Sequence, residues 1–506
     1  MNSNKLKIAV FILLILILIF LILCSIFGTS LSYLSIKEIK QGRKQKENLI
    51  NSLTINNIDT VYDKNNNIYY YNVSDDYENN SYVLKLDLDN EYKYKIKDQT
   101  FNIIDVRYDE PIDIIIYNDK YYYETKIQLT NLPLISITTQ GSITTEDVES
   151  TFKYINSEEV NKVITSNSMI HIRGASSSEL PKKSYRINMY NNKYTDEKNI
   201  QISNFYNGDS FILDANYRDE SKIRNVLSTK LWNDISNDFT SVDVYSEFVE
   251  VFINNEYMGL YVFTEPINRK NLNLPKTSTE DTSAVIKMIG WVDIDSNIAY
   301  KNIDEYSYAN FEIKYPNNSD FYSDTWKKLL LSIRKYYDSE IKITDEVIES
   351  SFNLKNYIDI TIFNAFTSNI DNCMGYNNYF YFDTLSSDIY IQPWDMEFSY
   401  GFDLGEDRIS LLGYDKLSCM FYHQDAPKTN QLLIDRYWSL RKNILTEEYI
   451  NVLLDEYINN LSKGVIIRDS SVWGEYAWEK EIEEVRTWIH KRLEFFDDYI
   501  ESLENE

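Results

Sequence analysis

Cysteine and histidine are nearly missing from this chain, at 3 each in 506 residues. Cys24 lies in an apolar N-terminal run, which leaves Cys373 and Cys419 and excludes both a disulfide framework and the paired-cysteine spacing of a zinc site. So few histidines make a His-based metal centre or a His-dependent triad a poor candidate. Glycine is sparse too, 13 in all, and nowhere forms G-x-x-x-x-G-K-[ST] or G-x-G-x-x-G. That excludes a P-loop and the ordinary protein-kinase phosphate loop. Positive charge is short as well, 51 Lys and Arg against 78 Asp and Glu, for a net charge of −27. Such an acidic balance argues against nucleic acid or anionic lipid as a general partner. No motif recurs with a solenoid period.

What is present is enough for a globular protein of two or three domains, since 43% of the residues are hydrophobic and 25% charged. After a short tail (1–7), residues 8–28 carry no charge, and a run of that length predicts a transmembrane helix and a single-pass membrane location. Lys5 and Lys7 precede it and Lys37, Lys40, Arg43, Lys44 and Lys46 follow, so the positive-inside rule leaves the side of the main domain open. A polar, basic linker (29–52) leads into 53–128, where short alternating runs such as NIYYYNV and PIDIIIY predict a small β-rich domain. From 129 to 500 strands give way to helices, the pattern of an α+β domain with two lobes and a helical C-terminal part. Within it Asn254-Asn255 supplies turn residues for a hairpin, and Asp219 or Ser221 is placed to cap a helix.

Four stretches carry candidate chemistry. IRGASSSELPKKSYRI (172–187) sets small polar residues between two strands, a loop able to offer N–H groups and hydroxyls to phosphate, followed by Lys182 and Lys183. LDANYRDESKIRN (213–225) joins a strand to a helix, and VEVFINNEYMGLYVFTEPI (249–267) ends a hairpin at Glu265. The longest, Asn369 to Gly401, places Asp371 just past a helical pattern and Asp395 at the end of an apolar strand. Asn377-Asn378 lies between these two acids, and Glu397 follows in PWDMEF. An acid that orients a hydroxyl, an amide and a second acid for metal are the parts phosphoryl transfer needs. Taken alone, 172–187 reads by default as a solvated hairpin with surface lysines and 249–267 as a plain hairpin, while Asn369 to Gly401 is equally a hairpin with polar residues at its ends.

In this order, the motifs resemble the CotH family of spore-coat-type kinases, over about residues 130–500. The resemblance implies an atypical, reduced protein-kinase-like fold that transfers phosphate from ATP, with Mg²⁺ or Mn²⁺, to Ser or Thr of a protein partner such as a spore-coat or envelope protein. It implies that Lys183, or its neighbour Lys182, is the ATP-phosphate lysine and Asp371 the catalytic-loop acid. Asn378 and Asp395 would hold metal, with Glu397 where the family usually has Asp. Arg173 and Ser176, Ser177 and Ser178 would line the phosphate side, and Glu265 the hinge side. About two extra residues separate Asp371 from Asn378, so either the loop bulges or Asn377 takes the amide role. Cys373, within this loop, reads as an incidental thiol, with redox sensitivity as its alternative. The expected substrate is a Ser-rich, basic protein. The rival reading is a catalytically inactive, membrane-tethered scaffold of the same family; a carbohydrate binder has only the 43 tyrosines behind it.

Overall fold

The computed structural model describes residues 34–504 apart from 48, 51, 74–80, 98–102, 106–107, 237–241, 277–282, 290–310, 317–327, 330, 334–341, 374, 403–408 and 411–421. It is a mixed α+β protein whose chain divides into two compact units, one ending at Thr130 and the other beginning at Asn131. The first unit is largely β. Its main sheet runs Val61–Asp63, Ile68–Asn72, Tyr121–Thr130, Ile112–Tyr117 and Lys93–Ile96, with Lys44–Gln45 paired beside Tyr121.

In the second unit seven strands close into a barrel, in the order Leu134–Thr139, Val148–Ile155, Val163–Arg173, Ser184–Tyr190, Ser210–Asp214, Glu256–Thr264 and Ser246–Ile253. Neighbours are antiparallel except at the closure, where Leu134–Thr139 runs parallel to Ser246–Ile253 with Leu134 opposite Glu250. Asn254 and Asn255 both take left-handed φ, 51° and 61°, the turn whose twist matches that of the flanking strands.

That hairpin reads as a nearly unbroken apolar run because both of its faces are buried. Val249, Val251 and Phe263 point into the barrel, while Phe248, Leu260 and Val262 join the core of the helical half. A second sheet, ordered Phe311–Tyr315, Ala284–Met288, Tyr379–Asp383, Asp388–Gln392, repeats the arrangement. Its Phe380 and Phe382 enter the helical core, whereas Tyr379 and Tyr381 pack on the opposite face.

The helices start where side chains satisfy their first N–H groups. Thr344, Asn353 and Thr446 cap Asp345–Ser351, Leu354–Thr367 and Glu447–Asn460. For Arg224–Ser236 the Asp219 carboxylate accepts the Arg224 N–H at 3.0 Å and pairs with the Arg224 guanidinium at 2.6 Å. Along Trp478–Glu504, Ile482, Val485, Trp488, Ile489 and Phe496 form the buried face.

The expected location in a membrane is corrected here. Among the described residues no helix is long and apolar enough to cross a membrane. The span expected at 8–28 lies outside the described residues, so nothing described supports a single-pass anchor.

Candidate active site

The two acids of the central stretch are brought together by one asparagine. The buried helix Leu354–Thr367 ends at Ser368, whose φ of 50° turns the chain sharply. The next side chain, Asn369, is fully buried. Its Oδ1 accepts the N–H groups of Asp371 at 3.1 Å and Asn372 at 3.4 Å, starting the short turn Ile370–Cys373. Its Nδ2 donates to the Asp395 carbonyl at 3.4 Å. Asp395 leaves the strand Asp388–Gln392 in the left-handed region, φ 62°, which few side chains other than Asn and Asp adopt readily. Held strain of this kind gathers at functional sites.

The two asparagines of the loop have different partners. Asn377, at φ 63°, donates from Nδ2 to Asp395 Oδ2 at 3.2 Å. Asn378 is sealed in the core and exchanges two hydrogen bonds with Asn372, one with its side chain at 3.0 Å and one with its carbonyl at 2.8 Å. The amide that reaches Asp395 is therefore that of Asn377, and Asn378 closes the bulged loop. Cys373, in the same turn, is disulfide-bonded, which corrects the reading of an incidental thiol.

Negative charge is crowded around Asp395. Burial, and then the Asp214 carboxylate, push its acidity constant above the ordinary carboxylate range, against the pull of Lys287 and Arg173. Glu397 is pushed up to about 9 by burial and by Asp395, Asp214 and Asp219, with Arg218 opposing. Asp371 and Asp395 both act on Tyr376, whose phenol is raised chiefly by burial. Asp214 was missed in the sequence, although it stands in the quoted LDAN segment. It ends the barrel strand Ser210–Asp214 and accepts from Ser184 Oγ at 3.2 Å and Asn225 Nδ2 at 3.0 Å. Asn225 Oδ1 in turn accepts the Met396 N–H at 3.1 Å, which ties the barrel to the PWD turn.

Among the described residues, no group of three or more His, Cys, Asp or Glu side chains is arranged to hold a metal ion. Mg²⁺ needs less than that, because it keeps waters and takes one or two carboxylates plus substrate phosphates. Asp395 Oδ1 and the Glu397 carboxyl accept no hydrogen bond among the described residues, and like charge disfavours ionising both. Two such carboxylates fit one divalent cation.

The expected phosphate and hinge residues are placed differently from one another. Lys182 is buried and pairs with Asp469 at 2.8 Å on the helix Lys463–Trp473, also donating to the Leu260 carbonyl. Lys183 donates to the Ser178 carbonyl at 2.7 Å. Ser176–Glu179 form a 3-10 turn in which the N–H of Ser178 bonds to Ala175 O at 3.2 Å and that of Leu180 to Ser177 O at 3.2 Å, so these two N–H groups serve the turn itself. Gly174 makes the turn possible, since at φ 110° an added Cβ would lie 2.1 Å from Ser177 Oγ. Glu265 ties loops together, accepting from the N–H groups of Tyr206 at 2.5 Å and Tyr245 at 3.3 Å and from Asn271 Nδ2 at 2.7 Å. Arg173 does face the acids, with its guanidinium 5.8 Å from the Trp394 ring, next to Asp395.

The profile of the CotH kinase protein family matches residues 170–496, well over half of the chain, and the chain belongs to that family. No curated protein sequence matches it.

Proposed function

We propose that the protein is an ATP- and Mg²⁺-dependent kinase that phosphorylates Ser or Thr of a protein partner, in a cleft between the barrel and the helical half acting as two reduced kinase lobes. The observation that carries this reading is the pair Asp371 and Asp395, coupled through the Asn369 side chain and bordered by Glu397 and Asp214. Asp371 accepts or orients the substrate hydroxyl. Asp395 and Glu397 hold the cation, and Asn377 fixes the Asp395 carboxylate against rotation. A bound Mg²⁺ supplies neutralisation of the charge that develops on the transferring phosphoryl group. The rest is positioning: the left-handed turn at Asp395 and the Asn369 bridge hold both acids before substrate arrives. A spore-coat or envelope protein, Ser-rich and basic, is the substrate that this acidic chain suits.

Purified protein should transfer labelled phosphate from ATP to a Ser-rich basic protein. Asp371→Asn and Asp395→Ala should each lower the rate by roughly a hundredfold or more. A wild-type rate in Asp395→Ala would sink the assignment.

Two observations favour an inactive scaffold instead: the Asn378 amide is engaged with Asn372, and Glu stands at 397 where the family usually has Asp. Absence of any melting shift at millimolar Mg-ATP would support that alternative.

A further inference from the structure

A chain with a net charge of −27 nevertheless gathers four cations beside its candidate active site. Arg173 ends the barrel strand Val163–Arg173, and Arg186 lies on the neighbouring strand, its Cα opposite His171. Lys287 comes from the second sheet, its Cα opposite Tyr379, and Lys314 from the strand Phe311–Tyr315. Tyr379 and Trp394 lie between them, edge to face with centroids 6.3 Å apart. The Lys287 ammonium sits 5.8 Å from the Tyr379 ring, and the Arg173 guanidinium the same 5.8 Å from Trp394.

These cations are poorly neutralised. Arg173 and Lys287 make no ion pair or hydrogen bond among the described residues. Arg186 has a 3.4 Å contact to Asn188 Oδ1, and only Lys314 has a close acid, Glu312. Burial holds Lys287 down to about 8, with Arg173 and Lys314 adding to the effect and Asp395 opposing it. Arg186 and Lys314 are likewise lowered by burial, and Arg173 disfavours the charge on both. Half-buried like charges from four strands are costly to assemble unless an anion occupies the space between them. The lysines expected to meet that anion are engaged elsewhere, Lys182 with Asp469 and Lys183 with Ser178.

We propose that Arg173, Arg186 and Lys287 form a clamp for a polyphosphate chain, the triphosphate of the nucleotide, and that Lys287 does the work expected of Lys183. The inference rests on the phosphotransfer reading and adds the residues that hold the donor. Asp395 feels the charge of both Lys287 and Arg173, and Glu397 feels that of Asp395, so acids border the cations, as a cation–triphosphate complex requires.

The test is calorimetric titration of the full chain with inorganic tripolyphosphate, Mg-ATP and adenosine. Wild type should bind tripolyphosphate without any nucleoside. Lys287→Gln should weaken tripolyphosphate and ATP by roughly tenfold or more, the loss expected for a charge-assisted contact, with adenosine changed by less than about twofold. Lys287→Arg should recover most of that loss. Should Lys287→Gln fail to fold by circular dichroism, Arg173→Gln at the strand end should show the same selective loss. Failure of wild type to bind tripolyphosphate, or variants binding it like wild type, overturns the clamp. So does an equal loss for adenosine. Wild type that binds tripolyphosphate through these residues yet transfers no phosphate supports the clamp and overturns the kinase reading instead.

Discussion

Removing the carboxylate of Asp469 should destabilise the protein by about 3–5 kcal/mol, the usual effect of stranding one member of a buried ion pair. Both partners are almost sealed from solvent, at 1% exposure each, and Lys182 Nζ lies 2.8 Å from Asp469 Oδ1. The same oxygen accepts the Leu260 N–H at 2.8 Å, and Oδ2 accepts from Tyr476 at 3.1 Å. In Asp469→Leu the ammonium keeps only the Leu260 carbonyl and the Tyr261 ring, 4.7 Å away, and the Leu260 N–H loses its acceptor. Lys182→Met strands the carboxylate instead. The double variant removes both charges and leaves the buried Leu260 N–H and the half-buried Tyr476 hydroxyl without their acceptor, so its loss should be about 1–3 kcal/mol for the N–H with a smaller part for the hydroxyl, well below the sum of the single losses. Gly259→Ala should act in the same direction, because its Cβ would lie 2.2 Å from Asp469 Oδ1 at a φ of 93°. Urea unfolding midpoints and slopes of the four variants measure this. A single loss under about 1 kcal/mol, or a double loss equal to the sum, would refute a coupled structural pin. If Lys182→Met kept its stability but lost phosphotransfer, Lys182 would instead be the phosphate lysine.

Asn369→Ala should lower kcat for phosphotransfer by roughly ten- to a hundredfold, because it frees both acids from one bridge; unchanged kcat in a folded variant would dismiss the bridge. Asn377→Ala should reduce transfer with little change in urea midpoint, whereas Asn378→Ala should cost about 1–3 kcal/mol of stability through its two lost hydrogen bonds. Glu265, 2% exposed, has its carboxyl pushed up to about 7 by burial, from an ordinary 4.5. Between those values the unfolded chain has lost a proton that the folded chain keeps. The contribution of Glu265 is therefore fully present below pH 4.5 and declines as pH rises to 7, by up to about 3 kcal/mol. Midpoints measured across that range in wild type and Glu265→Gln check it, and identical pH slopes would contradict it.

Much of the architecture is local and can be read along the chain. The Asn254-Asn255 hairpin needs only residues that tolerate left-handed φ, and Thr344, Asn353 and Thr446 mark helix starts because their side chains replace missing backbone acceptors. The family was likewise carried by the order of the four stretches of candidate chemistry. Other features lie beyond such reading. Nothing near Asp214 distinguishes it from a surface acid until the barrel strand sets it beside the PWD turn through Asn225. Lys287 sits in no motif, and its company depends on Cα pairing with Tyr379, ninety-two positions later.

What the sequence by itself determined is which residue types are available and in what order: Asp371 and Asp395 flanking an amide pair, paired lysines after a small-residue loop, and too few cysteines and histidines for other chemistry. Only the tertiary structure decided which of them act on one another. It gave Asn377 to Asp395 and Asn378 to Asn372 because the loop's left-handed turn points adjacent side chains in different directions. It engaged Lys182 with Asp469 because a buried ammonium must find a counter-charge wherever the fold supplies one, here 287 positions away.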